Sequence, residues 1–397
     1  MTNIDIERVR SDTPGIGKSI HLLASGSALM PKPVVDAVIN HTILEAEIGG
    51  YEAQARQITM LDNVYGSVAN HIGAKKQEIA LLENATVAWC HAFYALPLKP
   101  GSCILTCEAE YAANYVAFLH RAKRDNLKIK VVASDSAGSL DVAALEAAVT
   151  TESEVGLIAI TWIPTNGGLV NPAVEVGKIA KKHGVPFLLD ACQAVGQMPI
   201  DVETLGCDFL SATGRKFLRG PRGSGFLYVA EKWLNGPDSL EPAMIDHFGA
   251  PWTARDQYEL RSDARRFETW ENSYALRAGL GAAIDYAEMI GIETICERVR
   301  QIAQYCRDLL GQHEKITLCD IGSELGGIVS FTIEGADARE VVAAMSQSGF
   351  AIGASAASNT RLDSQRRSLP TLLRIAPHYY NTEDEIVQAV EALPLST

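Results

Sequence analysis

The stretch Ser211-Ala-Thr-Gly-Arg-Lys-Phe-Leu-Arg-Gly-Pro-Arg-Gly-Ser-Gly-Phe-Leu-Tyr-Val229 constrains this chain more than any other segment. It sets Lys216 among small and hydroxylated residues, then runs through a Gly/Pro-rich turn into an apolar strand. That turn is too short for a helical crossover, so Gly225-Phe-Leu-Tyr-Val229 is expected to lie antiparallel to the strand before it. Upstream, Val185-Pro-Phe-Leu-Leu-Asp190-Ala-Cys-Gln193 reads as a buried strand that ends on an aspartate. Further short apolar runs at 78–82, 102–106, 129–133, 156–161 and 209–211 alternate with helical stretches between about 62 and 232. This is the pattern of an α/β fold with a mostly parallel, doubly wound sheet. Residues 172–183 carry Val176, Ile179 and Ala180 at helical spacing, and Gly184 is a suitable stop.

After about residue 270 the character changes. Long helices are predicted over 273–290 and 292–312, a strand over 327–332, and a last helix opened by the capping box Thr382-Glu-Asp-Glu385. The expected organisation is a large domain over 21–270 and a smaller C-terminal α/β domain over 271–397, with residues 1–20 packed against the latter. No internal repeat interrupts it.

Composition narrows the function classes. The chain has 397 residues, 47% hydrophobic, with Lys+Arg 35 against Asp+Glu 48 and a net charge of −13. It can bury a large core, and an acidic surface argues against a nucleic-acid partner. Neither a run long enough to span a membrane nor a leader pattern is legible, so a cytoplasmic protein is expected. Eight scattered cysteines read as buried thiols, and the nine histidines form no metal-binding spacing, so no metal is expected.

A lysine on a tight loop and an aspartate at a strand end are each ordinary: most lysines are surface groups, and such an aspartate often caps a helix. In the order Asp190-x-x-Gln193, Thr213-x-Arg215-Lys216, Gly220-Pro-x-Gly223 they suit pyridoxal 5′-phosphate. The amine would form a Schiff base, and the carboxylate would hold the pyridine nitrogen protonated so that the ring acts as an electron sink.

These same residues resemble the class V aminotransferase family of fold type I pyridoxal phosphate enzymes, which includes cysteine desulfurases, C–S lyases and isopenicillin N epimerase. Scattered matches run from about His21 to Leu393. The resemblance implies that Lys216 is the catalytic lysine, that Asp190 pairs with the ring nitrogen and that Gln193 bonds the phenolate oxygen. It makes Thr213 and Arg215 phosphate ligands, joined by Ala85 and Thr86 of Leu82-Glu-Asn-Ala-Thr86, where a strand enters a helix. Tyr111, in Glu110-Tyr111-Ala-Ala-Asn114, takes the place of the aromatic stacked on the ring. Thr165 and Asn166 fall where relatives place a polar contact to the phenolate oxygen. Arg374, in Arg-x(6)-Asn381-Thr382, matches the arginine that grips a substrate α-carboxylate. The loop His21–Ser27 and the segment Glu45–Tyr51 resemble family segments near the substrate, which makes Ser27 and Tyr51 candidate substrate neighbours. Where relatives use Phe-Glu-x-Gly-Thr-Pro to reach a partner subunit's phosphate, this chain has Phe267-Glu-Thr-Trp-Glu-Asn272. The family further implies a homodimer.

Loss of a substrate α-proton, with Lys216 as base, opens β-elimination, transamination or epimerisation. The resemblance implies that persulfide chemistry uses a thiol in the loop ahead of the carboxylate arginine; here that loop reads Ile352-Gly-Ala-Ser-Ala-Ala-Ser-Asn359, and no cysteine follows Cys319. The expectation is therefore a C–S β-lyase acting on a cysteine conjugate or its sulfoxide and releasing pyruvate and ammonia. An aminotransferase or an amino-acid epimerase is the alternative. A pyridoxal-binding transcription regulator would need a basic helix-turn-helix, for which no segment is spare. A dinucleotide oxidoreductase would need a Gly-rich turn opening a helix, whereas Gly220–Gly225 opens a strand.

Overall fold

A computed structural model describes residues 4–395; residues 1–3 and 396–397, the outermost parts of the expected domains, lie outside it. The centre is a seven-stranded sheet in the order 79–82, 225–229, 209–213, 187–190, 155–161, 103–107, 128–132. Its five strands from 209–213 to 128–132 run parallel. Gly225–Val229 is antiparallel to both of its neighbours, as its short connection requires. Helices cover both faces, so the inner strands are buried along nearly their whole length, only Val155 and Gly156 being half-buried, and their Val/Ile/Leu/Phe runs lack the alternation of a half-wet sheet. The helix Ala173–His183 stops at Gly184 in the left-handed conformation, φ 66°.

A second sheet of four antiparallel strands has the order 316–318, 329–333, 372–375, 353–355. It packs with the helices Ile292–Leu310, Ala338–Gln347 and Glu383–Glu391 around a core that includes Ile302, Val329, Phe331, Ile375 and Ile386. The last helix carries the expected reciprocal cap between Thr382 and Glu385. Helix Tyr274–Ile290 instead packs against helices Lys32–Ile48 and Ile58–Ile72, and its Leu280, Ala283 and Ile284 join the core of the large sheet. The N-terminal segment bridges the two layers. Ile20–His21 pairs in parallel with Phe350–Ala351, whereas Val9 joins the large core and Asp12 accepts from Tyr286 Oη at 3.0 Å. No helix among the described residues is long and apolar enough to cross a membrane.

Candidate active site

Parallel register decides which residues meet. Thr161 pairs with Asp190, Asp190 with Ser211, and Thr213 with Gly225, so the C-terminal ends of three strands converge at one edge of the sheet. In open α/β sheets this edge is where loops of different strands can enclose a ligand. The loops leaving it carry Tyr111, Thr165, Gln193 and Lys216.

Asp190 is 5% exposed. Its Oδ1 accepts from the Cys192 backbone N–H at 2.9 Å and its Oδ2 from Asn114 Nδ2 at 2.9 Å, which orients the carboxylate and satisfies part of its charge. The Asn114 amide also donates to Glu110 Oε1 at 2.9 Å. Glu110 further accepts from Tyr111 N at 2.8 Å, from Thr106 Oγ1 at 2.9 Å and from Thr161 Oγ1. Burial outweighs these donors and, helped by the nearby Asp190 charge, pushes Glu110 up to about 7. Tyr111 itself stays 37% exposed at the start of helix Ala112–Asp125, and its hydroxyl senses the charges of Asp190, Arg215 and Arg374.

Lys216 lies on the turn after Phe209–Thr213. Burial lowers its pKa, and the cations Arg215 and Arg374 act in the same direction against Cys192 and Asp190. Two features seat this turn. A Cβ on Gly196, whose φ is 87°, would fall 2.2 Å from Leu218 N, so only glycine lets the segment after Gln193 lie on the backbone after Lys216. Arg219, 1% exposed and left-handed at φ 62°, donates to Leu29 O, Tyr379 Oη and Thr13 Oγ1 at 2.7, 2.7 and 2.6 Å. Nothing in the sequence pattern singled out Arg219. Beside it, the fully buried His378 is held neutral by burial and the Arg219 charge, and its Nε2 meets Phe217 O at 2.7 Å.

The N-terminal loop closes over this turn. Ala28 N donates to Arg215 O at 2.9 Å, Arg215 Nη1 donates to Gly26 O, and Gln193 Nε2 donates to Ser25 O at 3.1 Å. Ser27 ends the single helical turn of that loop. At the opposite end, helix Ala85–Ala95 starts beside Thr213. The approach depends on Gly225, where a Cβ would sit 2.6 Å from Ala212 O and 3.2 Å from Ala85 N. Asn84 caps this helix through Val87 N at 3.0 Å, leaving the first-turn N–H groups of Ala85 and Thr86 for an anion.

Arg374 is buried on strand Leu372–Ile375, with its Nη1 held by Thr165 O at 2.6 Å and Thr165 Oγ1 at 2.8 Å. Its Nε is buried without a partner, and no carboxylate among the described residues forms an ion pair with it. Burial lowers its pKa to about 10, which a carboxylate ligand would offset. Gly353 pairs with Arg374 in the sheet, so the cysteine-free segment begins beside it.

Two expected residues sit differently. Asn166 gives its amide to the buried carboxylate of Asp363 at 2.8 Å, where a cofactor contact was expected. Tyr51 is 72% exposed and lines a cavity with Glu45, Trp270 and Asn272 that does not include Lys216. Thr86 also borders an outer cavity with Cys90, Tyr94 and Met244. In Phe267–Asn272, Glu268 is locked by Tyr65 Oη, Leu81 N and Arg277, and Trp270 stacks near His247.

This constellation fits pyridoxal 5′-phosphate. Asp190 would face the ring nitrogen and Lys216 the aldehyde carbon; Ala85, Thr86 and Thr213 would hold the phosphate, and Tyr111 would cover the ring. Two polar atoms in the enclosure, Gln193 Oε1 and Ser25 Oγ, are buried and unpaired, as expected where a polar ligand completes the network.

The aminotransferase class-V family model matches residues 20–389. A probable cysteine desulfurase of Methanothermobacter thermautotrophicus is 28% identical over 393 residues, covering 98% of this chain and 97% of that protein. The structure of the apo cysteine desulfurase from Thermococcus onnurineus superposes with a TM-score of 0.90 at 26% identity, covering 98% and 97% of the two chains. A cystine C–S lyase structure shares the fold at a TM-score of 0.85 and 20% identity, covering 96% and 98%. The chain belongs to the aminotransferase class-V family. It is a fold type I enzyme whose cofactor is pyridoxal 5′-phosphate.

Proposed function

We propose that this enzyme is a cytoplasmic, homodimeric C–S β-lyase that acts on a cysteine conjugate or its sulfoxide and releases pyruvate and ammonia. The observation that carries the reading is the pairing of Arg374 with Gly353, at the start of a segment without a thiol. The relatives are named cysteine desulfurases, and the family resemblance implies that persulfide-forming desulfuration uses a nucleophilic sulfur in that segment. Cys192 does not supply one: burial and the Asp190 charge, only partly countered by Lys216, push its pKa well above that of a free thiol.

Bound at the site, the cofactor supplies an electron sink for negative charge at the substrate α-carbon. The protein does the rest. Arg374 receives the α-carboxylate, with its guanidinium aimed by Thr165. Lys216, its pKa lowered by burial and by Arg215 and Arg374, takes the α-proton. Asp190, held by Asn114 and the Cys192 amide, keeps the ring nitrogen protonated. The C–S bond then breaks with its electron pair on sulfur, a proton completes the sulfur product, and water hydrolyses the three-carbon enamine to pyruvate and ammonia.

The deciding experiment is a coupled pyruvate assay over a panel of cysteine thioethers and sulfoxides with no oxoacid added. Stoichiometric pyruvate supports elimination. Accumulation of the pyridoxamine form of the cofactor, with turnover restored only by an oxoacid, would replace this reading with an aminotransferase.

A further inference from the structure

The geometry assigns Asp363 and Asn166 as a positioning pair that fastens the segment 357–366 across the site and thereby aims Arg374. The inference rests on the reading of Arg374 as a carboxylate receptor.

The Asp363 carboxylate is 2% exposed although it belongs to a short surface helix, Arg361–Arg366. A buried carboxylate must be hydrogen-bonded or paired. Its Oδ2 accepts from Asn166 Nδ2 at 2.8 Å and from Arg367 Nη1 at 3.2 Å, while Arg366 Nη2 lies 3.5 Å from Oδ1. Because a carboxylate only accepts, Asn166 must present its nitrogen, and the amide orientation is fixed. The backbone joins in: Asp363 N donates to Glu108 O at 3.1 Å, and Arg366 Nε meets Glu108 Oε2 at 2.9 Å. The other side of the cluster reaches the smaller sheet, where Arg367 Nη2 donates to Cys319 O at 2.6 Å.

The consequence follows from sequence adjacency. Asn166 comes directly after Thr165, whose carbonyl and hydroxyl both hold Arg374 Nη1. Any shift of Asn166 displaces the two acceptors that set the guanidinium, and among the described residues Thr165 alone aligns Arg374 Nη1. The loop behind is also stiffened, because Gly168 N donates to Asp320 Oδ1 at 3.1 Å within the buried Arg307–Asp320 pair. Asp363 therefore couples closure of the thiol-free segment to the geometry of carboxylate binding. Neither residue need touch substrate.

The test uses the holoenzyme and L-alanine, which has an α-carboxylate but no leaving group, with affinity read from the visible band. Asn166→Ala and Asp363→Ala are each expected to weaken L-alanine binding about 10-fold, as loss of one charge-assisted hydrogen bond does. The double variant should be no weaker than either single one. Asp363→Asn, which keeps an acceptor for Asn166, should recover most of the affinity, and the band without amino acid should not move. Amide exchange should quicken across 357–366 in both alanine variants. Additive losses, unchanged affinity or unchanged exchange would overturn the pairing. If Asp363→Ala fails to fold, Asn166→Ala decides by the same two readouts. The lyase reading fails separately, in the pyruvate assay.

Discussion

Asn114 spends one amide on two carboxylates, donating to Asp190 Oδ2 and to Glu110 Oε1 at 2.9 Å each. The side chain thus sets the direction of Asp190 and spaces it from a second acid. Asn114→Ala should leave Asp190 with one fixed donor and lower kcat on the order of 10-fold, as loss of a hydrogen bond to a charged group implies. Asp190→Ala should retain the cofactor yet lose on the order of 100-fold or more. Steady-state kinetics on both variants check the ranking; equal losses would show that Asn114 does more than orient.

Glu110 gives a pH signature. Its folded pKa, about 7, lies above that of an exposed glutamate, so the folded state binds the extra proton between about 4.5 and 7. Folding stability contributed by this group is fully present below the unfolded value and is lost as pH rises through the folded one, by up to about 3 kcal/mol. Thermal melting of the cofactor-free protein should show this decline, and Glu110→Gln should flatten it. A Gln variant with the wild-type slope would assign the effect elsewhere.

Lys216 should be the residue fixed to the cofactor by borohydride. Purified protein should absorb in the visible, and peptide mapping after reduction should place the label on Lys216 alone. Lys216→Ala should bind the cofactor without that linkage and show no turnover. Label on any other lysine sinks the assignment.

Thr165→Val removes one of the two acceptors on Arg374 Nη1 and keeps the carbonyl. It should raise KM several-fold with little change in kcat, as loss of a uniform binding interaction does. Arg374→Ala should raise KM far more.

Gly196→Ala should be severe. Its Cβ would fall 2.2 Å from Leu218 N at a backbone angle that L side chains avoid, costing about 1–3 kcal/mol for conformation alone before the clash. Calorimetry with cofactor titration checks this; a variant with wild-type Tm and affinity would show that the two loops can separate.

The parts of this site that were legible in the sequence are those set by short-range rules. Asp190 ends a strand, Lys216 follows the next one, and a parallel register then brings them together without further information. The antiparallel strand Gly225–Val229 followed from loop length alone. The hydrogen bond of Asn166 to Asp363 was not legible, because the partner lies 197 positions away and no local pattern records it. Tyr51 carried only a similarity of its segment, and its exposure depends on how helix Gly50–Arg56 packs. Helix Tyr274–Ile290 matched its predicted span, but which core it would enter depends on small residues such as Gly279 and Gly281, whose close neighbours are Val38 and Val64.

Arg219 ties together segments that lie far apart in the sequence. Its guanidinium is satisfied by Thr13 and Leu29 near one terminus and by Tyr379 near the other, while its own N–H donates to Lys216 O at 2.9 Å. Pairing the strands of the large sheet is not enough to satisfy this buried cation, because one of its acceptors, Tyr379 Oη, lies outside that sheet. The turn that carries Lys216 is therefore held by segments outside the large sheet, so loosening either of them loosens the seat of the lysine without touching the strand that precedes it.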